Sequence, residues 1–256
     1  MRLFKIHYDL LSSANGYLHF NSWVMMKETK SKPKVTRRFE STEEPSVLLN
    51  QLPFDSLAAA KIISKADKNL ARVIKAVGPC RLELQAMQNS FESLLESIVY
   101  QQLTGKAAAT ILGRVKALYK DEFPSPAQVL KTTDETFRSV GLSGAKTAAI
   151  KDLADKSKKG LLPDIDALAQ MSDDEIIEKL TAVRGIGEWT VHMLLIFRLG
   201  RPDVMPNNDY GIRKGFARAY ELDDLPSPRF LLEHSEIWRP YRSIASWYLW
   251  RVLDLK

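Results

Sequence analysis

From Asp55 onward, apolar residues recur at the spacing of amphipathic helices, and polar caps mark where most of those helices begin. Asp55 predicts a cap for a helix over 56–66. Asp67 predicts another for 69–77, which stops at Gly78-Pro79. Asn89-x-x-Glu92 opens a helix through Leu94, Leu95, Ile98 and Val99 to Gln101, and Thr104 starts an Ala-rich helix to about Lys120. Shorter helices are expected near 126–131 and 133–139, the second behind a Thr132-x-x-Glu135 capping box. Gly141-Leu142-Ser143 leads into 144–158, and Asp164 into a short helix ending at Gln170. A Ser172-Asp173-Asp174-Glu175 capping box opens a helix carrying Ile176, Ile177, Leu180 and Val183. Trp189, Met193, Leu194, Ile196 and Phe197 begin the next, with Glu188 in its first turn against the dipole. A helix after Asp209 and a last one from Glu236 to about Val252 complete the pattern, and no strand pattern interrupts it. The fold class is therefore mainly α, with a helical core over 46–256 in two lobes.

Residues 1–45 follow another rhythm. Leu3, Phe4, Ile6, Tyr8 and Leu10, then Tyr17, Leu18, Phe20, Trp23 and Val24, are branched or aromatic, and Ser12-Ser13-Ala14-Asn15-Gly16 lies between them. Asn-Gly between two such runs favours a β-hairpin. Lys27 to Arg38 is basic and polar and reads as a loop. The expectation is a short N-terminal appendage, a β-hairpin by preference, with a basic arm or a processed leader as the alternatives.

Composition changes this picture little. The chain has 256 residues with the hydrophobic and charged fractions of an ordinary globular protein, enough to bury a full core. A net charge of +6 favours a polyanionic partner, although solvated lysine faces give the same count. Cys80 is the sole cysteine, which excludes a disulfide framework and a cysteine-rich metal site. No apolar run approaches a membrane span. The chain reads as soluble and intracellular.

The candidate chemistry gathers around Leu180-Thr181-Ala182-Val183-Arg184-Gly185-Ile186-Gly187-Glu188-Trp189-Thr190. Gly185-Ile186-Gly187 is so short a link that two helices must fold back as a hairpin. Its glycines admit unusual backbone angles and a close-approaching backbone, and its amides suit a phosphate. Half of a dinucleotide fingerprint is excluded, because Thr190 stands where a third Gly is needed and a helix precedes the turn. An ordinary helix–helix corner fits these residues equally well. The segment downstream separates the two. Arg201-Pro202-Asp203-Val204-Met205-Pro206-Asn207-Asn208-Asp209-Tyr210-Gly211 is a Gly/Pro-bounded loop that enters another helix.

A hairpin, one intervening helix and a Pro-x-x-Asp loop together resemble the helix-hairpin-helix–Gly/Pro-Asp (HhH-GPD) superfamily of DNA glycosylases, in the branch of 3-methyladenine DNA glycosylase II. The resemblance spans about Asn89 to Lys256. It implies that Asp209 is the catalytic carboxylate; read alone, the same residue is a good helix N-cap. Relatives that also cut the backbone carry a lysine just after the turn, where this chain has Trp189, so the resemblance implies a monofunctional enzyme that uses water. Trp189 matches an aromatic of the base pocket, suited to a cationic alkylated purine, against the plain alternative of a core residue. Met193 replaces an aromatic of some relatives. Trp238-Arg239-Pro240-Tyr241 resembles a closing motif that makes Trp238 and Tyr241 pocket walls, whereas Trp247 and Trp250 read as core.

The same resemblance assigns DNA contacts to Gly185, Ile186, Gly187 and Thr190 at the hairpin. It makes Gln102 the filler of the gap left by a flipped base and Leu142, beside Ser143, an apolar wedge on the other strand. Lys146 becomes a phosphate contact, with a surface lysine as the alternative. No cofactor is implied beyond a monovalent cation on the carbonyls of Thr181, Val183 and Ile186, and the iron–sulfur cluster of some relatives is excluded by the single cysteine. The implied partner is double-stranded DNA with damaged bases, met by a monomer in a bacterial cytoplasm or a eukaryotic nucleus. Two alternatives stay open: a glycosylase for a deaminated or oxidised base, and a non-catalytic hairpin module that grips DNA backbone.

Overall fold

The computed structural model describes residues 52–255. The appendage expected over 1–45 lies outside the described residues. Those described form helices joined by short loops, with no strand among them: α1 (Ser56–Ala66), α2 (Lys68–Val77), α3 (Ser90–Tyr100), α4 (Gly105–Ala117), α5 (Pro126–Lys131), α6 (Asp134–Ser139), α7 (Gly144–Lys158), α8 (Ile165–Gln170), α9 (Asp173–Thr181), α10 (Glu188–Phe197), α11 (Tyr210–Ala219), α12 (Pro228–His234) and α13 (Arg242–Arg251). Single-turn 3₁₀ segments follow α12 and α13.

The capping residues read from the sequence set most of these boundaries. Asp55, Asp67, Asn89, Thr104, Ser143, Asp164, Ser172 and Asp209 each accept an amide of the helix they open. Three expectations need correction. The cap of α6 is Thr133, not Thr132, whose hydroxyl is drawn back to Gln128 O and Tyr119. α4 ends at Ala117, and the chain then turns through Lys120 and Asp121, both at positive φ. The last helix does not run from Glu236: Ser235–Trp238 is a 3₁₀ turn, a cis Arg239-Pro240 bond follows, and α13 starts at Arg242. Pro240 cannot continue a helix, which is why one apolar stretch becomes two elements. α12 was not expected at all, although Ser227 caps it and Pro228 opens it, a standard start signal.

The helices pack in two groups. α3 to α7 form one, with α7 against α3, α5 and α6, while α9 and α10 pack on each other and the turn between them meets Ala149 and Asp152 of α7. α1, α2, α11 and α13 form the other, with the 3₁₀ turn after α12 laid on α1. Their seam is apolar. Val191, Leu195, Ile196, Val204, Ile212 and Trp250 are all buried, and the Phe197 ring of α10 meets the Trp250 ring of α13 with centroids 5.7 Å apart. The loop 198–209 crosses between the groups and is fastened to α13, with Ser243 Oγ accepting the Val204 amide at 3.0 Å and donating to Arg201 O at 2.6 Å. Asp209 is the last residue of that loop, so the seam holds the carboxylate in place.

Candidate active site

Asp209 caps α11 and is only 8% exposed. A buried carboxylate needs donors, and three are supplied. Its Oδ1 accepts the Ile212 amide at 2.7 Å and the Trp250 indole N–H at 2.9 Å. Its Oδ2 accepts the Trp189 indole N–H at 2.7 Å. A carboxylate offers about four lone-pair positions, so one on Oδ2 is left for another group. Gly211 leaves room for this arrangement. A Cβ there would stand 3.0 Å from Asp209 Oδ1 and 3.1 Å from Trp250 Cδ1.

Trp189 lies in the first turn of α10 and is half-buried. With Glu188, His192, Pro206, Asn207 and Asn208 it lines a small cleft next to the carboxylate. His192 is nearly buried and its Nε2 lies 3.6 Å from Glu188 Oε1. Burial pushes the His192 imidazole below its usual range, against the pull of Glu188, so the ring is neutral near pH 7. Asn207 donates to Pro228 O at 3.2 Å, which fixes one wall of the cleft, and Asn208 is exposed.

The hairpin lies at the other end of Trp189. α9 ends at Thr181, Gly185 adopts φ +78°, and Gly187 caps α10 without a side chain to offer. The amides of Gly187 and Glu188 therefore lie at the positive end of the helix with no intrahelical acceptor. The two glycines differ in kind. Gly185 needs its left-handed angle, and a Cβ there would meet Ala149 Cβ at 3.0 Å. Gly187 has an ordinary φ of −94° and open space around it, so its value is access from outside.

Residues 95–240 match the HhH-GPD superfamily, described as base excision DNA repair proteins. The chain is 38% identical over 203 residues to DNA-3-methyladenine glycosylase 1 of Schizosaccharomyces pombe, covering 78% of this chain and 89% of that one. It belongs to the HhH-GPD superfamily of base excision DNA repair proteins. Among solved structures, the S. pombe 3-methyladenine DNA glycosylase in complex with abasic DNA superposes on this HhH-GPD chain with a TM-score of 0.69 at 37% identity, covering 77% of this chain and 97% of that one. A DNA-3-methyladenine glycosidase from Bacillus halodurans gives a TM-score of 0.68 at 35% identity, over 75% and 88%. The similarity therefore falls in the 3-methyladenine branch of the HhH-GPD superfamily.

Within this HhH-GPD core the structure brings Asp209, Trp189 and the hairpin together. Met193 follows one turn after Trp189, half-buried against the core. Gln102 is exposed at the tip of the turn between α3 and α4, with a left-handed φ of +57°. Four expectations are corrected. Trp238 is no pocket wall: it is fully buried and its indole donates to Asp67 Oδ2 at 2.7 Å. Leu142 is no wedge, because its side chain is 3% exposed inside the core. Thr190 offers nothing to DNA, since its side chain is buried and its amide donates to Gly187 O at 2.9 Å. The Ile186 side chain is buried under the turn and its amide donates to Val183 O at 3.0 Å, leaving only its carbonyl for a ligand. Tyr241 is half-buried against Phe54, with ring centroids 5.7 Å apart. Ser143 caps α7, and Lys146 donates to Val99 O at 2.7 Å. The residue that sequence reasoning missed is Trp250. It looked like one more apolar position on a buried helix, and its partner is 41 positions away.

Proposed function

We propose that this chain is a DNA glycosylase of base excision repair. It rotates an alkylated purine of the 3-methyladenine class out of duplex DNA and hydrolyses its N-glycosidic bond, leaving the backbone intact. The observation that carries the reading is the Asp209 carboxylate, held by two indoles and an amide with one lone pair of Oδ2 uncommitted beside an open cleft. Breaking a glycosidic bond builds positive charge on the sugar, and a fixed carboxylate in a site of low dielectric stabilises that charge without reorganising. The same oxygen can orient the attacking water. An alkylated purine leaves as a neutral base, so no general acid is needed. Consistent with that, the one titratable ring in the cleft, His192, is neutral.

The remaining parts follow from the same reading. The amides of Gly187 and Glu188 at the start of α10 grip a phosphate, and the side-chain-free Gly187 lets it approach. Gln102 fills the space that the flipped nucleotide vacates. The face of Trp189, whose N–H is spent on Asp209, offers a π surface to a cationic base. With Trp at that position no amine stands ready for a Schiff base, and water is the nucleophile. Val183 O accepts the Ile186 amide at 3.0 Å and keeps a second lone pair, so with the carbonyls of Thr181 and Ile186 it fits a monovalent cation shared with the phosphate. Such an ion would add positive charge to the grip, and the bond cleavage itself asks for no cofactor. All these parts come from one chain, so a monomer suffices, acting on DNA inside the cell.

The test is base release from duplex DNA treated with a methylating agent, comparing the parent with Asp209→Asn. Free methylated purines from the parent, a fall of at least a hundredfold in the variant, and strand breaks only after alkali are the expected results. Breaks without alkali would contradict the water mechanism. A parent that binds the duplex and releases nothing would leave a DNA-gripping module or an enzyme for a deaminated or oxidised base.

A further inference from the structure

A base-flipping protein must hold the phosphate backbone and fill the vacated stack at a fixed separation, because the nucleotide cannot turn unless both happen together. Here the hairpin and Gln102 lie far apart in sequence, yet one hydrogen bond joins their turns. Gln101 Nε2 donates to Gly185 O at 2.9 Å. Gln101 is the C-cap of α3 with extended ψ 133°, and the next residue reverses to φ +57°. That reversal sends the two neighbouring glutamines in different directions, Gln101 to the hairpin and Gln102 to solvent. A non-glycine residue in the left-handed region persists only where its surroundings impose it.

A second tie acts on the same turn. Lys146 Nζ donates to Val99 O, one of the last carbonyls of α3, at 2.7 Å. Burial holds the Lys146 ammonium below its usual range, in keeping with a tether inside the fold more than a solvated arm. Lys146 belongs to α7, and the same helix reaches the hairpin. Ala149 packs under Gly185, and Asp152 Oδ2 accepts the Arg184 amide at 2.7 Å. Positions 146, 149 and 152 share one face of the helix at i, i+3 and i+6, spanning about 9 Å along its axis. One helix therefore supports both turns, and Gln101 closes the frame between them.

We propose that Gln101 is a positioning residue that couples the phosphate-gripping hairpin to Gln102, with the Lys146–Asp152 face of α7 as the other side of a brace. Its task is to keep Gln102 at the insertion distance while the backbone is held. This rests on the glycosylase reading, and it assigns Gln101 no contact with the base or the reacting atoms. Losing the tie slows flipping, and neither phosphate grip nor bond cleavage is touched.

The experiment measures single-turnover base release from a methylated purine in two settings: paired in a duplex, and opposite an abasic spacer where it is already loosely stacked. Variants are Gln101→Ala, Gln101→Glu, Gln102→Ala and the Gln101→Ala/Gln102→Ala pair. Glu keeps the size of Gln but sets an acceptor against the Gly185 carbonyl, so it separates the hydrogen bond from packing. Both Gln101 variants should fall about tenfold on the paired lesion, and by much less opposite the spacer. Melting temperature and affinity for undamaged duplex should stay at parental values, and the double variant should be no slower than Gln102→Ala alone. Equal losses on both substrates, additive losses in the double variant, a parental rate for Gln101→Glu, or losses that follow melting temperature would overturn the proposal. A parent that releases no base in either setting defeats the glycosylase reading instead. The brace is then judged by binding: the preference for a duplex with an abasic analogue over an intact duplex should shrink in Gln101→Ala, and an unchanged preference overturns it.

Discussion

Asp209 carries two duties on one side chain. Its Oδ1 closes the N-terminus of α11, and its Oδ2 accepts the Trp189 indole N–H and keeps one lone pair uncommitted. The division depends on Trp250, whose indole N–H takes the second place on Oδ1. Trp250→Phe keeps an aromatic ring of smaller size and removes that donor. A hydrogen bond to a charged acceptor contributes about 1.5–3 kcal/mol, so the variant should stay folded yet release base at least about tenfold more slowly, measured under single turnover. The parent rate in Trp250→Phe would show that the indole only fills space. Asp209 was legible in the sequence as a helix cap, and its catalytic role was implied only by the resemblance of the hairpin and the Pro-x-x-Asp loop to the family. Trp250 was not, because nothing local distinguishes an indole that packs from one that also donates. Trp238 failed in the opposite direction. Its resemblance to a closing motif implied a pocket wall, and its true partner, Asp67, lies 171 positions upstream.

At the scale of elements, α11 and α13 make one of the closest contacts in the molecule. Gly215 permits it: a Cβ built there would stand 1.8 Å from Leu249 O and 2.7 Å from Leu249 C. Backbone cannot yield as a flexible side chain can. Gly215→Ala should therefore cost about 3 kcal/mol or more, lowering the melting midpoint by roughly 6–12 °C; a shift below about 2 °C would mean that the two helices part easily. Since α13 brings Trp250 to Asp209, base release should fall along with stability. The helix boundaries were largely legible because caps are local chemistry, read from one residue and the three after it. α12 was not read, although Ser227 and Pro228 are a start signal. The break at Pro240 was overridden by the apolar run around it, a case where the pattern of burial continued across a chain that could not.

For the molecule as a whole, Asp67 plays the part in one helical group that Asp209 plays at the seam. It is 5% exposed, caps α2 by accepting the amides of Asn69 and Leu70 at 2.9 and 3.0 Å, and accepts the Trp238 indole and the Tyr220 hydroxyl. His234 stands 3.7 Å from its Oδ2 and 2.8 Å from the Tyr220 hydroxyl. Burial alone would raise its carboxyl, but the hydrogen bonds from Tyr220, Leu70, Trp238 and Asn69 together hold it below the usual value of 3.8. A folded-state pKa below the unfolded one means stability that is complete above the unfolded value and is lost as pH falls through the folded one. The parent should therefore exceed Asp67→Asn by about 1–3 kcal/mol near neutrality. The gap should narrow as denaturation is followed below the usual value of 3.8; a gap independent of pH would place the benefit in shape alone. The helices themselves were legible from periodicity, but the polar pairs that pin them to one another were not, because both partners of each pair sit in separate elements. The face of α7 that touches both the hairpin and the turn before α4 has a consequence for descent. A helix advances 100° per residue, so one residue gained or lost between Lys146 and Asp152 would swing one support away from its target while the other stayed. Letters can drift on the outer side of α7 without harm, but its length is inherited as a unit, and insertions are expected to accumulate at 118–125 and 159–163 instead.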